Sequence, residues 1–157
     1  MSEQILMPYV GKKEGNNQEK AVLSLEKARL SHEKYLLNQQ NNDLQDAIDN
    51  YIDAVKYDPT IPETYYRLAT LMWEQGQISI NGAIEQCQTA ISLSQNNTNA
   101  HIYTGYFLQL SQNYQAAEKE FKAAIGINQF RSGRPRMILS QAILQRINSK
   151  NAKNQKG

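Results

Sequence analysis

The sequence predicts an all-α fold in which antiparallel helix pairs stack into an α-solenoid, and three observations predict it. Apolar residues recur at helical spacing, with Ala21, Ala28 and Tyr35, and again Leu23, Leu30 and Leu37, seven residues apart. No stretch alternates convincingly between apolar and polar with period two, so no strand is assigned. Finally, one set of small and aromatic residues returns at fixed intervals. Tyr35, Ala47, Tyr51, Ala54 and Pro59 are separated by twelve, four, three and five residues, and Gly105, Ala117, Phe121, Ala124 and Gln129 repeat those intervals. Between them lie Ala69, Ala83, Cys87, Ala90 and Gln95, where the first interval is fourteen and the rest are unchanged. Ala54 and Ala124 are seventy residues apart, or two periods of about thirty-five, the signature of a stacked-repeat architecture.

The elements follow in order. Residues 1–17 read as an extended arm, with Ile5, Leu6, Met7, Tyr9 and Val10 ahead of the polar "GKKEGNN". A helix is expected from Gln18 to about Asn38, broken by "NQQNND", and a second from about Leu44 to Tyr57. "DPTIPE" stops it, and Pro62 suits the first turn of a third helix that runs to about Gln75, with Gly76 as its C-terminal cap. Asn81 is the expected cap of a fourth helix that ends near Ser94. The fifth and sixth helices cover about 99–111 and 114–127, "NQFRSGRPR" forms a loop, and Pro135 opens a capping helix to about Asn148. The basic tail 149–157 has nothing to bury and is expected to be disordered.

Composition narrows the function. Among 157 residues, 40% are hydrophobic and 20% charged, as in ordinary soluble proteins. One cysteine precludes an intramolecular disulfide and fits a reducing compartment, so a cytoplasmic or stroma-like location is expected. The apolar run near the N-terminus is too short for a signal-peptide core or a membrane span. Charge is uneven: residues 43–90 hold eight acidic side chains against two basic, and 121–157 hold eight basic and no acidic. His32 and His101 lack Cys or carboxylate partners at ligand spacing, and no phosphate-binding or nucleophile motif is present. Neither enzyme, metal nor cofactor is indicated. Cys87 takes the position held by Tyr51 and Phe121 in the flanking copies and reads as a small buried hydrophobe.

Small residues at Gly105, Ala117 and Ala124 let two antiparallel helices approach closely, while Phe121 fills the gap toward the next pair. In this pattern the chain resembles the tetratricopeptide repeat family, whose helix-turn-helix unit spans about 34 residues. The packing signature is Tyr35, Ala47, Tyr51, Ala54 and Pro59, then Ala69, Ala83, Cys87 and Ala90, then Gly105, Ala117, Phe121 and Ala124. Repeats fall at about 28–61, 62–97 and 98–131 within a domain of 18–148. Lys34, where the family carries Leu, and the longer turn before Ala83 depart from the pattern.

The resemblance implies a right-handed superhelix whose first helices line a concave groove for peptides or helices of other proteins. The residues it places there are Glu63, Tyr66, Thr70, Trp73, Asn99, Ile102, Tyr106 and Gln109. Tyr66, Trp73 and Tyr106 suit a binding surface, because rigid rings give contact area at low entropic cost. The cations and amides of a two-carboxylate clamp are missing, Arg67 alone lying nearby. The expected function is a non-enzymatic adaptor or scaffold that takes a protein or peptide partner. The alternatives are self-association through an exchanged N-terminal arm, giving a homo-oligomer, and, less favoured, nucleic-acid binding through Arg131, Arg134, Arg136, Arg146, Lys150, Lys153 and Lys156.

Overall fold

A computed structural model of the protein describes residues 15–130. The expected arm over 1–14, most of the basic loop, the capping helix 135–148 and the tail 149–157 lie outside the described residues. Six helices follow one another: α1 (Gly15–Asn38), α2 (Asn41–Tyr57), α3 (Pro62–Glu74), α4 (Ile80–Leu93), α5 (Thr98–Leu110) and α6 (Tyr114–Phe130). No strand occurs among the described residues. Helices α1 and α2, α3 and α4, and α5 and α6 pack as pairs, and each pair packs on the next through α2–α3 and α4–α5.

Helix ends depart from the sequence expectation in four places. Helix α1 opens at Gly15, so residues 15–17 belong to its first turn and not to an arm; first-turn N–H groups need no intrahelical acceptor, so Gly-Asn-Asn can start the helix. Helix α2 opens at Asn41 for the same reason, with Asp43 in its first turn. Ser79, not Asn81, caps α4, its hydroxyl accepting from the Gly82 N–H at 3.1 Å. Helix α6 runs on to Phe130, past the expected stop at 127, because no Gly or Pro breaker comes between Ile127 and Phe130.

Other ends follow the residues. Pro62 opens α3 behind the extended Ile61. Gly76 has φ +74°, and the Gly76 N–H to Trp73 O (3.0 Å) and Gln77 N–H to Met72 O (2.8 Å) bonds close α3 in a Schellman motif. Asn97 caps α5 by accepting from the Ala100 N–H at 3.0 Å.

Two apolar clusters run through the stack. One joins Leu25 and Ala28 of α1 to Leu44, Ala47, Ile48, Tyr51 and Ala54 of α2 and to Leu68 and Leu71 of α3. The other joins Tyr65, Tyr66 and Ala69 of α3 to Ala83, Cys87 and Ala90 of α4, Ala100, Phe107 and Leu108 of α5, and Ala117 of α6. Ala47, Ala54, Ala83 and Ala90 are wholly buried, and Ala124 nearly so. Tyr35, Pro59 and Phe121 are half-buried. Small side chains at the crossing points let paired helices close on one another, and α3 contributes to both clusters, so the pairs share one continuous interior.

Candidate binding groove

The first helices of the three pairs contribute to a single hollow of about 120 Å³. Its walls are His32 and Leu36 from α1, Arg67, Thr70 and Glu74 from α3, and Tyr103 and Tyr106 from α5. Periodicity explains the lining: Arg67, Thr70 and Glu74 fall on one face of α3, as do Tyr103 and Tyr106 on α5.

Beside the hollow, two guanidinium groups converge on one carboxylate. Arg29 Nε donates to Glu63 Oε1 and Oε2 at 2.9 and 3.1 Å, and its Nη2 also reaches Oε2. Arg67 Nε donates to Glu63 Oε1 at 3.0 Å. Arg29 further pairs with Glu26 one turn back on α1. Burial alone would raise the pKa of Glu63, but the hydrogen bond from Arg29 and the charges of both arginines outweigh it and hold the carboxyl below its usual range. Burial would lower the pKa of Arg67, yet the surrounding tyrosine hydroxyls and Glu63 leave it raised.

His32 is buried under this network, its Nδ1 3.1 Å from the Tyr51 hydroxyl and its ring edge-on to the Tyr51 ring. Burial first, and then the positive charge of Arg67, push its pKa down to about 4 against the pull of Glu63. The imidazole is therefore neutral at neutral pH. His101 serves elsewhere: Nδ1 meets Glu120 Oε2 and Nε2 meets the Gln95 carbonyl, both at 2.7 Å, which ties α5 to α6 and to the preceding loop.

The expected groove residues divide among four settings. Thr70 and Tyr106 line the hollow, and Glu63 holds the arginines beside it. Trp73 is half-buried, edge-on to Tyr106 and Phe107, while Gln109 is also half-buried but does not line the hollow. Tyr66 and Ile102 are corrections to the expectation of an open binding face, being only 3% and 1% exposed. Tyr66 stacks on Tyr103 with ring centroids 4.6 Å apart, and its hydroxyl lies 3.5 Å from Asn99 Nδ2. Asn99 belongs to a second, polar hollow with Glu63, Tyr66, Ser94, Asn96, Asn97 and Thr98. The α5 ring of Tyr103 thus covers Tyr66 on α3, while Thr70 and Arg67 on the same helix line the hollow.

Arg29, His32 and Leu36 were not expected at the groove, although a signal for them was present. Glu63, Tyr66 and Thr70 carried back by one 34-residue period fall on these three residues.

Stacked antiparallel helix pairs with a concave face built from the first helix of each define the class of an α-helical repeat solenoid. Residues 39–76 match the family described as "TPR repeat". Solved structures agree across most of the chain. The Arabidopsis OM64 TPR domain superposes with a TM-score of 0.62 at 17% identity, covering 85% of this chain and 98% of that one. The TPR2B domain in the pHsp70 complex of yeast Sti1 gives 0.61 at 20% identity, covering 82% and 98%. The first TPR of Spaghetti (RPAP3), bound to the HSP90 peptide SRMEEVD, gives 0.58 at 20% identity, covering 83% and 94%. No curated protein matches the chain in sequence. The described residues thus form a tetratricopeptide-repeat fold of three helix pairs, with 39–76 carrying the family's sequence pattern.

Proposed function

We propose that the protein is a non-enzymatic adaptor whose face of α1, α3 and α5 binds a peptide or helix of a partner protein. The supporting observation is the convergence of side chains from three successive first helices on one hollow. Leu36, Tyr103 and Tyr106 offer apolar and aromatic surface, and Thr70, Glu74 and Arg67 offer polar groups that fix a ligand's orientation. Peptide-bound relatives of the same fold support the reading, the Spaghetti domain with SRMEEVD among them.

In this chain, however, Arg29 and Arg67 already hold a carboxylate of their own, Glu63. A doubly acidic tail would have to displace it and leave a half-buried acid unpaired, at a cost of several kcal/mol. The ligand that fits is a segment that places an apolar or aromatic side chain in the hollow. Titration with SRMEEVD is accordingly expected to show no saturable binding.

Thr70→Trp would fill the hollow from the groove side. In affinity capture from the source cells, wild-type protein should retain a partner that Thr70→Trp loses, with the helical circular dichroism of the two identical. Equal capture by both would place the binding surface elsewhere. Self-association and nucleic-acid binding rest on residues outside the described segment. Among the described residues no helix is long and apolar enough to cross a membrane.

A further inference from the structure

Helix α1 packs one face on α2 and presents the opposite face outward. That outer face carries Leu23, Leu30 and Leu37 in a row, with Val22 beside them, and all four are more than half exposed. Glu19, Glu26 and Glu33, also seven residues apart, run along one edge of that row, and Lys20, Lys27 and Lys34 along the other. Near its start, Val22 and Leu23 share a shallow surface depression with Glu19 and Glu26. An apolar row of this length on a soluble surface marks a contact site.

We propose that this face seats the chain's own N-terminal segment, residues 5–10, folded back along α1. Chemistry and reach both select this occupant. Ile5, Leu6, Met7, Tyr9 and Val10 match the leucine row, and Lys12 and Lys13 follow toward the edge that carries Glu19 and Glu26. Pro8 lacks an N–H, which suits a segment lying on a helix, where no ladder partner waits for one. An extended chain advances about 3.3 Å per residue and a helix about 1.5 Å. After a reversal of roughly two residues before Gly15, this arithmetic sets Val10 beside Val22, Tyr9 beside Leu23 and Leu6 beside Leu30.

The test uses the full chain. In a Leu6→Cys/Leu30→Cys variant, mild oxidation should give an intrachain disulfide in a protein that stays monomeric by light scattering; Cys87 is wholly buried and does not compete. Separately, Leu6→Ser and Leu30→Ser should each lower Tm by about 2–4 °C, and together no further than either alone. An interchain disulfide would assign the face to a second copy and overturn the proposal, as would the absence of any cross-link. Additive Tm shifts, or none, overturn it whatever the cross-link shows.

Discussion

Gly105 and Phe121 meet across the α5–α6 pair so closely that a Cβ on residue 105 would lie 2.5 Å from Cε1 of the ring, with Cδ1 and Cζ at 2.8 and 2.9 Å. The ring rests on bare backbone, and this seating sets how near the two helices approach. Alanine at 105 would gain up to about 1 kcal/mol in helix propensity. Against that stands the displacement of a rigid, half-buried ring packed on the core, and overpacking of this kind costs about 1–3 kcal/mol. Gly105→Ala is expected to lose about 1–2 kcal/mol net in urea denaturation. Combining it with Phe121→Leu should cost less than the sum of the two single changes, because the shorter side chain removes the clash. Strict additivity would show that the contact does not limit the approach.

The same intervals show what the sequence could and could not reveal. A small residue opposite a large one has a direct steric meaning at Gly105 and Phe121, and the return of the same intervals at Ala83, Cys87 and Ala90 and at Ala47, Tyr51 and Ala54 made three helix pairs legible. Helix ends were less legible where neighbouring residues compete for one role. Ser79 and Asn81 are both good N-caps, and the path of the turn decides between them. Of the residues expected on one open face, Thr70 and Tyr106 line the hollow, whereas Tyr66 and Ile102 are buried. Helical periodicity orders residues around an axis without saying which of two adjacent faces the next helix covers. Arg29 escaped notice because its role depends on Glu63, 34 residues away on another helix.

Gln112 ends α5 with φ +67°. The bonds from Gln112 N–H to Gln109 O (3.0 Å) and Asn113 N–H to Leu108 O (2.9 Å) form the Schellman motif that Gly76 forms after α3. A side chain in the left-handed region costs about 1–2 kcal/mol, and glycine gives part of that back through the freedom it adds to the unfolded chain. Gln112→Gly should therefore stabilise the protein by about 0.5–1 kcal/mol, while Gly76→Gln should destabilise it by a similar amount. Thermal unfolding of both variants checks the pair, and a loss of stability in Gln112→Gly would refute the assignment.

Cys87 is wholly buried in α4, and burial pushes its thiol up to about 12, with a small opposing effect from the Thr104 hydroxyl. The thiolate is the nucleophile, so the native protein should resist alkylation at pH 8. Labelling should become complete once denaturant unfolds the chain. Rapid labelling under native conditions would mean that α4 opens far more readily than its packing between α3 and α5 implies.

Buried His32 makes stability depend on pH. Its pKa of about 4 in the folded protein lies below the ordinary 6.5, because burial and the charge of Arg67 disfavour the imidazolium. Between those values the unfolded chain binds a proton that the folded chain does not, so acidification favours unfolding. Stability should be full above pH 6.5 and should fall by about 2 kcal/mol between pH 7.5 and 5, approaching roughly 3 kcal/mol below pH 4. Glu63 adds to the loss only at the lower end, since its depressed pKa keeps it ionised until the pH falls below the usual carboxylate range. His32→Gln keeps a polar group near the Tyr51 hydroxyl but cannot titrate. Urea denaturation across pH 5–7.5 should show a steep decline for the wild type and a much flatter one for the variant. Parallel declines would mean that the protons enter elsewhere and that His32 is not the group that governs the acid response.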